Sequence, residues 1–165
     1  GVAPQGSVTG PMAEVVFRST QYLNDADAQA IAVYLRALPQ RAIAPAEVVK
    51  PSAATLERGA KVYEQHCAQC HGDNGEGKPG AFPALAGNRA VVLQDPTNLV
   101  RVVLQGGYLP ATAGNPRPHG MPPFMQVLGD DDVAAVSTFV RNAWGNQAPA
   151  VGTIGVYRAR ERRGS

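Results

Sequence analysis

The sequence predicts an all-α fold of short helices strung on long loops, and three observations carry that expectation. Apolar residues recur at helical spacing in several segments, each opened by a capping residue and closed by glycine or proline. No run alternates apolar and polar side chains as a half-buried strand would. Between the helices lie Gly- and Pro-rich stretches too long to be idle connections in a compact domain. A chain of 165 residues, 44% hydrophobic and 17% charged, is long enough for one packed core plus additional material.

Residues 1 to 38 open with Gly/Pro/Ser-rich sequence and close in a helix. Asn24 caps it, Asp25 and Asp27 suit its first turn, and Ile31, Tyr34, Leu35 and Leu38 form its apolar stripe before Pro39 stops it. Residues 39 to 51, with prolines at 39, 45 and 51 and no helical period, read as a semi-extended linker. Residues 52 to 148 form the main domain. A helix starts at Ser52 or Thr55 and runs into Cys67, and a loop rich in glycine follows from Gly72 to Asn88. Next comes a helix with Asp95 as N-cap, Pro96 at its first position and Gly106 just past its end. A second loop, "GGYLPATAGNPRPHGMPPF", carries five prolines, and the last helix, "DDDVAAVSTFVRNAWG", has its apolar stripe at Val133, Val136, Phe139 and Val140. Residues 149 to 165 read as a basic tail, solvated and without fixed structure.

No apolar run approaches the roughly 18 residues of a membrane span, and the N-terminus lacks the basic and apolar regions of a signal peptide. The chain is therefore expected to be soluble, with any targeting segment already removed. Net charge is +2, and it resides in the tail, where Arg158, Arg160, Arg162 and Arg163 stand against Glu161 alone. A basic patch on the domain itself is missing, so no nucleic-acid partner is expected. The tail's sharper reading is a docking strand for an acidic partner or peripheral contact with an anionic membrane surface. Asp130, Asp131 and Asp132 read as charges complementing a helix dipole rather than as catalytic acids.

The only two cysteines lie in "HCAQCHGDNGEG", where Cys67, Cys70 and His71 spell C-x-x-C-H. A disulfide would close too small a loop to staple the chain. Structural zinc needs four ligands, and no second C-x-x-C is present. A thioredoxin-like dithiol requires a βαβ setting that the helical pattern denies. Covalent attachment of one haem c remains: two thioethers meet two vinyl positions on one porphyrin edge, and His71 then points its imidazole at the iron. The sixth position falls to Met12, Met121, Met125, His66 or His119. His66, beside Cys67, cannot reach the other face. Met121 is favoured because flanking prolines stiffen the chain enough to hold a weak thioether in place. Met125 and His119 stay open as alternatives, otherwise a core methionine and an exposed loop histidine.

These residues resemble a class I cytochrome c over nearly all of 52 to 148. In that family a small residue and an aromatic of the N-terminal helix cross closely against an aromatic of the C-terminal helix, which corresponds here to Gly59, Tyr63 and Phe139. The family's proximal imidazole donates to a proline carbonyl, and "FPALAG" offers Pro83 for that role. "PALAGN", "NPRPHGMPPF" and "VRNAWGNQAPAV" are further similar to the last domain of the three-haem cytochrome subunits of bacterial membrane-bound alcohol and gluconate dehydrogenases and related molybdenum hydroxylases. Residues 1 to 38 look like the end of a preceding cytochrome domain, with Met12 as its ligand, yet no C-x-x-C-H precedes Met12. The segment is expected to be a remnant of a longer chain, or else a reused element. As a remnant it leaves Ile31, Tyr34 and Leu35 to be covered, which favours self-association.

The resemblance implies one-electron transport in a respiratory chain through a haem with His71/Met121 ligation. It implies a bacterial periplasmic setting, soluble or peripheral to the membrane, a dehydrogenase subunit as donor, and another haem, a quinone or a terminal oxidase as acceptor. The module itself is then a carrier and not an enzyme. The rival readings are a peroxidase-like enzyme or a haem sensor, each of which requires Met121 off the iron.

Overall fold

In a computed structural model, which describes residues 1–3, 5–39 and 50–161, the helices follow in the order α1 (Pro11–Arg18), α2 (Asp25–Ala37), α3 (Ala53–His66), α4 (Ala68–His71), α5 (Thr97–Gln105), α6 (Asp130–Val140) and α7 (Thr153–Glu161). Two minimal antiparallel ladders accompany them. β1 (Val2–Ala3) pairs with β2 (Gly6–Ser7), and β3 (Gly107–Tyr108) pairs with β4 (Gly120–Met121), with Gly107 opposite Met121. The expected helical class with long loops holds. Of the linker read over 39 to 51, residues 40–49 lie outside the described residues.

The caps explain the helix starts. Asn24 Oδ1 accepts from the Asp27 amide at 2.8 Å, and Ser52 Oγ accepts from the Thr55 amide at 3.1 Å. α5 starts one residue later than expected: Pro96, not Asp95, is its N-cap and Thr97 its first residue, while the Asp95 carboxylate, one position further out, accepts from the Thr97 amide at 2.8 Å. α6 is shorter than its sequence pattern, because the chain turns at Arg141 and Trp144 adopts a left-handed φ of 54°. α1 was not foreseen; Pro11 at its start and the Glu14–Arg18 pair at 2.7 Å, one turn apart, are its local supports.

α3 and α6 cross in close contact. A Cβ on Gly59 would lie 2.6 Å from Phe139 Cβ and against the carbonyl oxygen of Ala135, so only hydrogen fits. Tyr63, Phe139 and Trp144 close the angle as a three-ring cluster, with centroids 4.9 to 5.5 Å apart. Around it Val62, Val100, Leu104, Val133, Val136 and Val140 form the buried core. Arg58 reaches across the crossing to Asp132 at 2.8 Å and to Asp131 at 3.6 Å, so the acids at the start of α6 are ion-paired as well as placed at a helix N-terminus.

The tail expectation is corrected. Residues 153–161 are helical, with Val156 and Ala159 buried in the same core, and α7 packs on α5 and α6. Charge drew attention away from the i, i+3 apolar pair that docks this helix. The N-terminal segment attaches through its first residues: the Arg89 amide donates to Gln5 O at 2.9 Å, and Asn88 Nδ2 donates to Ser7 Oγ at 3.3 Å. α2 buries nothing, and Ile31, Tyr34 and Leu35 stay exposed.

Arg141 is fully buried, a feature absent from the sequence reading. Its Nη1 donates to the carbonyls of Val91 and Leu93, both at 2.8 Å, and its Nε donates to Pro149 O at 3.0 Å. It thus ties the entry to α5 and the exit from α6 to one point.

Two stability outcomes follow. Gly59→Ala would gain helix propensity at an ordinary site, but here it is expected to destabilise by about 1–3 kcal/mol through overpacking. Denaturant unfolding measures this, and a variant as stable as the parent would show that the crossing is not set by this glycine. Arg141→Met orphans the buried carbonyl of Val91, breaks the partly buried bonds to Leu93 and Pro149 and is expected to cost about 3 kcal/mol, whereas Arg58→Ala at the exposed pair should cost under about 1 kcal/mol. Equal midpoints for the two variants would remove Arg141 from its structural role.

Candidate haem site

Cys67 ends α3 with its amide on Tyr63 O at 2.8 Å, and the single turn of α4 then carries Cys70 and His71. Tyr63 Oη donates to Gly72 O at 2.6 Å, locking the far end of that turn to α3, and burial holds the phenol well above its usual pKa. Both cysteines are free, Cys67 half-buried and Cys70 exposed. Burial, with a smaller contribution from Cys70, pushes the Cys67 thiol up to about 11. A redox dithiol wants a lowered thiol pKa, so the shift runs against that use.

His71 is buried, and its Nδ1 lies 3.0 Å from Pro83 O. A carbonyl only accepts, so Nδ1 carries the proton and Nε2 keeps its lone pair. Burial lowers the imidazole's pKa, with the Pro83 bond opposing it, and the neutral ligand form is favoured. Pro83 reaches this place because Gly77, at φ 68°, lets the loop fold back; a Cβ there would lie 2.7 Å from the Pro83 carbonyl carbon.

His71 and Met121 line the same cavity, whose two lobes share Cys67, Pro83, Thr9 and Val102. Cys70 and His119 border the outer lobe, where the His119 ring sits 5.1 Å from Phe82. Met121 is placed there by the ladder of β4 with β3. Met125 packs against the hydrophobic core instead. Met12 is exposed along an adjoining groove beside α5, which shares Thr9 and Val102 with the cavity, and does not line the cavity itself. His66 borders the outer lobe next to Cys67 and faces Phe124 at 6.0 Å. The structure thus gathers Cys67, Cys70, His71, Pro83 and Met121, and leaves Met12 and Met125 apart. Among the described residues no group of three or more His, Cys, Asp and Glu forms a site for a bare metal ion.

Residues 56–144 match the family model described as Cytochrome c. The chain belongs to the cytochrome c family. As a cytochrome c it is an electron-carrier module built on covalently held c-type haem. It is 39% identical over 165 residues to the alcohol dehydrogenase (quinone) cytochrome c subunit of Gluconacetobacter polyoxogenes, covering 93% of this chain and 34% of that protein. With the gluconate 2-dehydrogenase cytochrome c subunit of Pantoea cypripedii it shares 35% over 153 residues, covering 87% of this chain and 35% of that subunit. Cytochrome c-552 of Thermus thermophilus is 38% identical over 91 residues, covering 53% of this chain and 69% of that protein. The chain spans about a third of the length of the dehydrogenase subunits it matches.

The cavity fits a c-type haem. Two thiols stand at one edge, a neutral imidazole and a thioether line it, and its walls are mostly apolar, including Leu85, Leu99, Val103 and Val136, with polar side chains such as Ser7, Thr9, Asn88 and Ser137 among them. Ser137 Oγ, fully buried on the wall formed by α6, has no hydrogen-bond partner among the described residues. Ser137 was legible in the sequence, since it lies on the stripe of Val133 and Val140. Ser7 and Thr9, which also line the cavity, carried no local signal so far from the cysteines.

Gly77→Ala forces a left-handed φ and a collision with the Pro83 carbonyl. It is expected to destabilise the protein by about 1–3 kcal/mol and to raise the reduction potential, because a His71 imidazole loosened from Pro83 is a less basic ligand. Unfolding and redox titrations read both, and an unchanged potential would show that the imidazole does not depend on Pro83.

Proposed function

We propose that Cys67 and Cys70 hold one haem c as thioethers, that His71 and Met121 are its axial ligands, and that the chain relays single electrons from a dehydrogenase subunit toward quinone, another haem or a terminal oxidase. The observation that carries this is the Nδ1 anchor of His71 on Pro83, which leaves Nε2 as the ligand atom in a cavity that Met121 also lines. Bound haem supplies the one-electron ferric/ferrous couple.

The residues tune that couple. Pro83 orients the imidazole and raises its basicity. A Met121 thioether would favour the reduced state relative to a second imidazole, and with His71 it would leave no position open for substrate. The β3–β4 ladder and the turn of α4 would hold the two side chains in place. The dehydrogenase partner is supported by the names of the relatives, which are cytochrome subunits of alcohol and gluconate dehydrogenases. A periplasmic setting accords with those partners. No described helix is long and apolar enough to cross a membrane. Self-association would use the exposed Ile31, Tyr34 and Leu35 face of α2.

Visible and near-infrared spectra of the haem-loaded protein test the ligand set. The ferric parent is expected to show the weak charge-transfer band of sulfur-ligated haem and to resist CO when reduced. Met121→Ala is expected to lose the band, bind CO and fall in potential. A parent without the band that binds CO readily would favour the peroxidase-like or sensor reading, with His119 beside an open site.

A further inference from the structure

The segment between β4 and α6, residues 122 to 129, carries the chain away from Met121 without a helix of its own. One side of it is stitched to α5: the amides of Phe124 and Met125 donate to Val103 O and Leu104 O at 3.1 and 3.0 Å. The other side is held by a single arginine of α7. Arg160 Nη1 donates to Met125 O, Nη2 to Leu128 O at 3.0 Å, and Nε to Asp130 Oδ1 at 2.7 Å. Met125 is therefore gripped from both sides, by its amide and by its carbonyl.

This arginine differs from the exposed cations of the chain. Its side chain is only 22% exposed, and its carboxylate partner 29%. Charge-assisted bonds in such a setting are stronger than a solvated surface pair. The helix that presents it is fixed by Val156 and Ala159 in the core. α7 also lies beyond residue 144, where the match to the family model ends.

We propose that Arg160 is a positioning residue for the Met121 loop: by clamping Met125 and Leu128 to α7 it keeps the loop closed and the thioether on the haem iron. The inference rests on the assignment of Met121 as ligand. A thioether is a weak ligand to ferric iron, so its occupancy depends on how seldom the loop opens. An external ligand competes only with the open state, and its apparent affinity scales with that state's population. Asp130 orients the guanidinium, and the two carbonyls receive its effect.

The test is imidazole titration of the ferric, haem-loaded protein, read by loss of the sulfur charge-transfer band. Arg160→Ala is expected to bind imidazole about tenfold more tightly than the parent. Arg160→Lys should be intermediate, because an ammonium on a flexible stem cannot bridge the same three acceptors in a planar fork. Arg158→Ala, an exposed change on the same helix, should match the parent. Unchanged imidazole affinity in Arg160→Ala, with the band intact, overturns the clamp. If that variant does not fold, Arg160→Lys decides, and parental affinity there overturns it equally. A parent lacking the band refutes the Met121 ligation itself, and the clamp falls with it.

Discussion

At Gly59 two helices from opposite ends of the cytochrome c region approach to within the width of a backbone, and much else is positioned by that approach. The C-terminal end of α3 delivers Cys67 and, one turn later, His71. The facing side of α6 supplies Val136, Ser137 and Val140 as cavity wall. Any side chain at Gly59 would drive these two surfaces apart. The aromatic rings of Tyr63, Phe139 and Trp144 fill the angle that the crossing leaves, and the Tyr63 hydroxyl carries the constraint on to Gly72.

A fold with long loops around one cavity must satisfy many backbone carbonyls that no helix or sheet uses. Here a few polar side chains do this from inside. Arg141 gathers the carbonyls of Val91, Leu93 and Pro149. Asn146 accepts from the Gly87 amide at 2.9 Å and donates to Leu85 O and Val140 O at 3.0 and 2.7 Å, so the loop carrying Pro83 is fastened to the end of α6. Thr138 Oγ1 accepts from the Val151 amide at 2.9 Å, starting the path that leads to α7. These residues act as internal ties where regular structure is absent, and their geometry is what makes the loops rigid.

What the sequence revealed follows from the range of the forces involved. Caps at Asn24 and Ser52, the apolar stripe of α6 and the C-x-x-C-H run are local patterns, and each was readable within a dozen residues. Gly59, Phe139 and Pro83 became readable through resemblance to a family. Arg141, Arg160 and Asn146 did not, because their partners are carbonyls far along the chain and a carbonyl has no sequence signature. The docking of α7 was hidden by its own charge: four arginines near the C-terminus outweighed Val156 and Ala159, although the small apolar pair decides where the helix sits. α1 was passed over because its opening is rich in glycine and proline, yet Pro11 at a helix start is favourable.

The crossing joins residues far apart in sequence; Arg58 and Asp132, which pair across it, are 74 positions apart. Both loops that face the cavity, one bearing Pro83 and the other Met121, lie within the long closed segment that this contact defines. Opening the crossing would loosen both at once, even though Asn146 fastens the first loop and α5 with Arg160 fastens the second. Cavity integrity and global stability are therefore thermodynamically linked: whatever holds the two loops together from within also resists separation of α3 from α6.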